Sequence, residues 1–353
     1  MDGQYKRLLL QALFSPSSAA LGRALKQQSI DRTALADYLP LLPAGLKERR
    51  KLLDHTGSLT VHYEHLREQG WRWLALGDAD YPSLLAQLGD APGVLAVRGS
   101  VAALNAPGLA IVGARNASAD GLDNSRRFAR DLAGSGFVIV SGLALGVDAA
   151  AHRGAISSGR TVAVLGSGPD RIYPPRNAVL AGQIVAAGGA LVTEFAPGAP
   201  PLPAQFPQRN RVISGLSLGT IVVEAAIKSG SLITARTALA QGREVFAIPG
   251  SIHNPLSKGC HQLLRDGASW LESREDIFHA FGDFRRSVEA VGINEPDLPD
   301  LLQHLTGGLN SLDVLQERTG LPITDLAGQL SELELEGWVE RVAGGYLKRS
   351  GAT

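Results

Sequence analysis

A single cysteine, Cys260, among 353 residues excludes an internal disulfide and any cysteine-based zinc centre, and it suits a reducing compartment. No run of about 18 apolar residues occurs, so no membrane-spanning helix is expected. The opening stretch, MDGQYKRLLLQALFSPSS, lacks a small-residue cleavage pattern, so we read no signal peptide and expect a cytoplasmic protein. Neither GxGxxG nor GxxxxGK[ST] is present, which removes the dinucleotide and nucleoside-triphosphate fingerprints. His152, His253 and His261 show no metal-ligand spacing, and Cys260 and His261 are chain neighbours of the kind that seldom form a nucleophile and base. No catalytic residue, metal or cofactor is assigned. Aromatic residues make up only 5%, so any stacking on nucleobases must be sparse.

What is present suits a folded protein of two or three domains, with 44% hydrophobic and 19% charged residues. Formal net charge is zero, but unevenly spread: residues 1–70 and 71–290 each carry +3, and residues 291–353 carry −6. Within 200–262, six basic side chains (Arg209, Arg211, Lys228, Arg236, Arg243, Lys258) face two acidic ones, Glu224 and Glu244. An electrostatic footprint for a polyanion is expected there.

Residues 5–53 show helical spacing of leucines broken by Pro16, Pro40 and Pro43, and predict a small helical domain over 1–70. From Leu109 the pattern becomes strand, glycine, helix, repeated. The apolar runs at 109–112, 137–140, 161–165, 190–193, 220–223 and 245–248, with a short strand at 95–97 before them, predict a parallel sheet covered on both faces. Small or polar residues follow these strands, among them Gly113, Gly142, Gly166 and Glu194, where open parallel sheets bind ligands. A polar linker over 286–297 leads to a last domain, 298–353. There three helices and a hairpin, WVERVAGGYLKR, suggest a winged helix-turn-helix. Its third helix carries Asp325, Glu332, Glu334 and Glu336 without lysine or arginine. It therefore reads as a protein-contact module and not a duplex reader.

The most informative stretch is FPQRNRVISGLSLGTIVVEAAIKSGSLITART, residues 206–237. A buried strand ending near Val223 is followed by Lys228 and the turn Ser229-Gly230-Ser231, which opens a helix whose first N–H groups and dipole favour an anion. Arg209 and Arg211 can fork onto phosphate oxygens. Two positions apart, they cannot face one way on a helix, so one of them is free to anchor the loop internally. Asn210 suits a base edge or a helix cap, and Phe206 and Tyr173 are the loop aromatics available for stacking. Arg115, directly after a strand, is placed to meet a phosphate, and Arg236 and Lys258 extend the cationic surface.

These segments resemble the DNA-processing protein A family, also called Smf, of bacterial natural transformation. The resemblance covers at least residues 81–281. It rests on IVGAR (111–115), VSGLALGVDAAAH (140–152), AVLGSGPDRIYPPRN (163–177), FPQRNRVISGLS (206–217), SGSLITA (229–235), GREVFAIPG (242–250) and KGCHQLLRDGA (258–268). It implies an extended Rossmann-like domain over 71–285, a sterile-alpha-motif-like domain in front and a winged helix behind. It also implies a homodimer that binds single-stranded DNA and loads the RecA recombinase. The implied DNA contacts are Arg115, Gly142, Phe206, Arg209, Asn210, Arg211, Lys228, Ser229, Gly230, Ser231, Arg236 and Lys258. A partner subunit would meet the segment 255–272, at His261, Leu263 and Leu264. Leu145 stands where the family usually has arginine, which removes one phosphate contact.

A competing reading comes from GLSLGTIVVE (215–224), similar to the PGGxGTxxE signature of lysine-decarboxylase-like phosphoribohydrolases. It would make Glu224 the catalytic base of a nucleotide-processing enzyme. An interaction scaffold without nucleic acid would leave the local cation excess unexplained.

Overall fold

A computed structural model describes residues 2–14, 16, 18–28, 30–31, 33–41, 56–281, 301, 305, 310–335, 339–342 and 345–348. The linker expected over 286–297 lies outside these residues, as does most of the helix expected at 298–305. The chain divides into two compact units, Met1–Val288 and Glu289–Thr353.

The first unit is built on a nine-stranded sheet. Its strands are β1 (Trp71–Ala75), β2 (Val94–Gly99), β3 (Gly108–Val112), β4 (Val138–Ser141), β5 (Thr161–Val164), β6 (Ala190–Thr193), β7 (Gly219–Val222), β8 (Glu244–Ala247) and β9 (Ser269–Trp270). Spatial order is β1-β2-β6-β5-β4-β3-β7-β8-β9. The seven strands from β6 to β9 are parallel, and β2 and β1 add antiparallel pairs at one edge. The six apolar runs of the sequence coincide with β3 to β8, each within a residue or two at its ends.

The reason is visible in how their side chains divide. Leu109, Ile111, Ile139, Ile221 and Phe246 enter a core on one face, while Ala110, Val112, Val138, Val140, Val222 and Ala247 enter a second core on the other. A strand with both alternating sets buried must be apolar throughout, and this produces the continuous runs. The first core is closed by α4 (Ala119–Gly134), α5 (Val147–Ile156) and α10 (Arg274–Ala280). The second is closed by α6 (Ala178–Ala186), α7 (Gln205–Gly215), α8 (Gly230–Ala240) and α9 (Lys258–Arg265).

Helices α1 (Gly3–Leu13), α2 (Ala19–Gln27) and α3 (Thr56–Glu68) precede the sheet. Leu8, Leu9, Leu10, Leu13, Leu21 and Leu25 are buried in the same core as β1 and β2. Polar stitches reinforce this packing. Gln11 accepts from the Trp73 indole at 2.9 Å and donates to the Thr193 carbonyl at 3.2 Å, and Gln4 accepts from Trp73 N at 2.7 Å. The segment 71–75 is the edge strand of the sheet and receives α1.

In the second unit, α11 (Leu312–Thr319) and α12 (Ile323–Leu335) pack with the hairpin β10 (Val339–Val342) and β11 (Gly345–Lys348) around Leu315, Leu326, Leu330, Val339 and Tyr346. Asp325 and Glu334 of α12 are solvent-exposed.

Candidate nucleic-acid interface

Strand order reverses between β3 and β7. Successive strands step outward from β3 through β4 and β5 to β6 in one direction, and from β7 through β8 to β9 in the other. Connections leaving neighbouring strands in opposite directions open a crevice beyond their carboxyl ends. A cleft of about 490 Å³ lies there, lined by Gly113 and Arg115 after β3, by residues 229–231 after β7, and by Phe206, Arg209 and Asn210 of α7.

One wall is the start of α8. Ser229 is its N-cap, and the Ser229 hydroxyl oxygen accepts from Ser231 N at 3.3 Å and lies 2.5 Å from the Ser231 hydroxyl. The eleven-residue helix brings the positive end of its dipole to the cleft at residues 229–231. Asn210 bridges to this wall, donating from Nδ2 to the Gly230 carbonyl at 3.5 Å.

The facing wall is aromatic and cationic. The Arg115 guanidinium carbon lies 5.4 Å from the centre of the Phe206 ring, and Tyr173 packs tilted against Phe206 with ring centres 5.7 Å apart. Arg115 is exposed and takes part in no ion pair among the described residues. Held over a ring instead of a carboxylate, its charge stays available to an anion.

The floor holds a buried pair of opposite charges. Arg209, 4% exposed, donates from Nη1 to the carbonyls of Gly142, at 2.7 Å, and Val164, tying α7 to the ends of β4 and β5. Its Nε has no partner among the described residues. Burial brings the Arg209 guanidinium down to about 10, with Asp148 acting in the opposite direction, so it remains a cation at neutral pH. Asp148, in the first turn of α5, accepts from Gly142 N at 3.1 Å and Ala144 N at 3.4 Å. Burial raises its carboxyl above the ordinary value, against the pull of Arg209 and these two N–H groups. Gly142 is required by this packing, because a Cβ there would sit 2.5 Å from the Arg209 guanidinium. Leu145, 37% exposed, shares a small adjoining pocket with Arg115, Tyr173 and Phe206.

The structure thus gathers Arg115, Phe206, Arg209, Asn210, Ser229, Gly230 and Ser231 around one cleft, with Gly142 against its floor. Arg211 is elsewhere. It is buried, forms an ion pair with Glu194 and donates to the Asp90 carbonyl at 2.5 Å, so both arginines of the RNR segment act as internal anchors. Sequence alone left one of the two free for phosphate; only Arg209 lines the cleft. Lys228, Arg236 and Lys258 are exposed but do not line the cleft. Of the residues expected to meet a partner subunit, Leu263 is 5% exposed within the first unit's own core, Leu264 is half-buried, and His261 donates from Nε2 to the Gly250 carbonyl at 3.0 Å. Asp148 escaped the sequence reading. Its only signal was an acidic residue in the first turn of a helix that follows a glycine-bounded loop.

Glu224 has a structural task. Its Oε1 accepts from the Ser118 hydroxyl at 2.6 Å and from Asn254 Nδ2 at 3.2 Å, and Oε2 accepts from Ser118 N at 2.9 Å. It clasps the loop after β3 to that after β7, is 7% exposed and does not line the cleft. A carboxylate so committed is poorly placed as a general base.

Comparison with known proteins agrees with this architecture. The family model described as DNA recombination-mediator protein A matches residues 72–282, and that described as the DprA winged helix domain matches residues 289–345. Protein Smf of Escherichia coli is 45% identical over 279 residues, 76% of this chain and 75% of that protein. DNA processing protein DprA of Streptococcus pneumoniae is 43% identical over 205 residues, 58% of this chain and 72% of that one. The X-ray structure of the Streptococcus pneumoniae protein superposes with a TM-score of 0.67 at 34% identity, covering 79% of this chain and 98% of that one. A structure of DNA processing protein A from Helicobacter pylori, described for its single-stranded DNA binding mode, gives 0.54 at 30% identity, covering 60% and 96%.

Proposed function

This chain belongs to the DNA recombination-mediator protein A family, and from that premise we propose that it binds single-stranded DNA across the β3/β7 crevice and delivers it for recombination. A mediator of this kind holds and hands over a strand without making or breaking covalent bonds. The relative from Helicobacter pylori is described as binding single-stranded DNA. The observation that carries the reading to this chain is Arg115. Its unpaired guanidinium lies over Phe206, opposite the N-terminus of α8 and at the mouth of a cleft built from the residues the sequence pointed to.

Phosphates would meet Arg115 and the N–H groups at 229–231, while Lys228, Arg236 and Lys258 would attract the strand from the surrounding surface. A base would stack beside Phe206 and Tyr173. Such a site depends mainly on phosphates and discriminates little among bases. Arg209 would contribute a buried positive charge and hold the floor.

The wider role we assign is that of natural transformation: a cytoplasmic homodimer, paired through the surface around residues 255–272, that protects incoming single strands and loads RecA on them. The helices within 1–70 and the winged helix within 298–353 would serve as accessory modules on the domain at 71–285. The acidic face of the winged helix suits contact with a protein more than with a duplex.

The test is a fluorescence-anisotropy titration of a mixed-sequence single strand and its duplex at two salt concentrations. Tight, salt-sensitive, strand-selective binding is expected. Arg115→Ala and Lys228→Ala should each weaken binding alike for all sequences and reduce the salt slope by about 1. Unchanged affinity in both variants would remove the site assignment.

A further inference from the structure

The cleft has the dimensions of a small-molecule site. Its volume of about 490 Å³ falls in the range of about 300–1,000 Å³ typical of pockets that enclose one ligand. A track for a polymer would repeat its contacts; this cleft has one phosphate-seeking wall, one aromatic wall and a closed floor. Pro201, Pro203 and Pro207 border it and stiffen its rim. Resting on the strand-binding reading above, we propose that this cleft takes a deoxynucleotide bearing a terminal 5′-phosphate monoester in preference to an internal phosphodiester.

Charge and donors set the preference. An internal phosphodiester carries one negative charge, whereas a phosphate monoester near neutral pH carries about 1.5 to 2 and offers three terminal oxygens. The cleft provides more than one diester needs. The first turn of α8 lines it with the positive end of the helix dipole, and a Cβ at Gly230 would meet nothing within 4 Å beyond its chain neighbours and its own helix backbone, so that approach is open. Arg115 is unpaired on the opposite wall. Arg209, more than nine-tenths buried on the floor, has an Nε without a partner among the described residues. Asp148 lies beside Arg209 and offsets part of its charge, so Arg115 and the N-terminus of α8 supply most of the positive field. Base and phosphate would then occupy the two walls simultaneously, the base against the Phe206 and Tyr173 rings.

The same monoester chemistry comes from two sources, a free deoxynucleoside 5′-monophosphate or the 5′-phosphorylated end of a strand, and one experiment separates them. Full-length protein holding a labelled 5′-hydroxyl oligonucleotide is challenged at constant ionic strength with deoxyguanosine 5′-monophosphate, deoxyguanosine or inorganic phosphate. In parallel, 5′-phosphorylated and 5′-hydroxyl forms of one oligonucleotide are titrated directly. One added charge-assisted hydrogen bond corresponds to about tenfold in affinity. Displacement by the monophosphate at roughly tenfold lower concentration than by either fragment, a gap of one such bond, supports the free nucleotide as ligand. A comparable preference for the 5′-phosphorylated oligonucleotide without displacement by the monophosphate supports the strand end. If the oligonucleotide binds, yet the monophosphate competes no better than phosphate and the two oligonucleotides bind equally, the proposal is overturned while strand binding stands. If no oligonucleotide binds, the strand reading fails, and calorimetry with deoxyguanosine 5′-monophosphate alone then decides the proposal: heat of binding supports it and its absence overturns it.

Discussion

Arg115, Arg209 and Arg211 have the same guanidinium group and three different fates, decided by what surrounds each. Arg115 stands in water over an aromatic face, Arg209 is buried and donates to two carbonyls, and Arg211 is buried against Glu194. Burial pushes the Glu194 carboxyl up to about 7, with Arg211 pulling it back, and its second oxygen has no partner among the described residues. Removing one member of a buried ion pair strands the other, at a cost of about 3–5 kcal/mol. Arg211→Ala should therefore lower the urea midpoint by a corresponding amount. Arg115→Ala should leave the midpoint unchanged and weaken DNA binding only. Equal stability of the two variants would show that Arg211 is not the anchor described. The RNR segment made both arginines visible in the sequence as a cluster. Their separation into an anchor at the cleft floor and an anchor away from the cleft was not visible, because their partners lie far along the chain.

Elements meet at buried polar joints, and these set how the fold responds to acid. His152 of α5 is fully buried, and its Nδ1 lies 2.7 Å from the Thr161 hydroxyl of β5. That hydroxyl donates to the Ile139 carbonyl of β4 at 2.6 Å, so it must accept from His152, which fixes the proton on Nδ1 and leaves Nε2 bare. Burial lowers His152 to about 3. The unfolded chain takes up this proton near pH 6.5 and the folded chain only near pH 3, so stability falls as pH drops between those values, by up to about 4 kcal/mol. Glu194 works in the opposite sense: its raised value makes stability fall as pH rises from about 4.5 to about 7. Denaturant midpoints measured from pH 7 to pH 4 should decline less steeply in His152→Gln than in the unmodified protein, and an unaltered slope would refute the buried neutral imidazole. The α5 segment announced itself in the sequence through VSGLALGVDAAAH, but nothing local marked His152 as a joint between α5 and β5.

For the whole molecule, the zero net charge conceals an acidic tail and a mildly basic body. The acidic residues lie in a unit that is compact by itself, Glu289–Thr353, and the cleft lies wholly in the other, Met1–Val288. If the winged helix contacts protein and not DNA, removing residues 289–353 should leave single-strand affinity unchanged or raised, since a repulsive field for phosphates is removed. A large loss of affinity in the same anisotropy titration would assign the tail a direct part in DNA binding.

Local pattern determined a great deal here. The strand runs β3 to β8, the helix start at Ser229 and the exposed cation at Arg115 follow from periodicity, capping and position after a strand, properties carried by a few adjacent residues. The tertiary structure alone decided the reversal of strand order that opens the crevice, the strand β1 that seats the N-terminal helix, and the clasp formed by Glu224. It also decided which cations remain free. Arg209 is secured by groups 45 and 67 positions away and Arg211 by one 121 positions away. A charge is available to a ligand only when such distant partners leave it unpaired, and no window of neighbouring residues contains them.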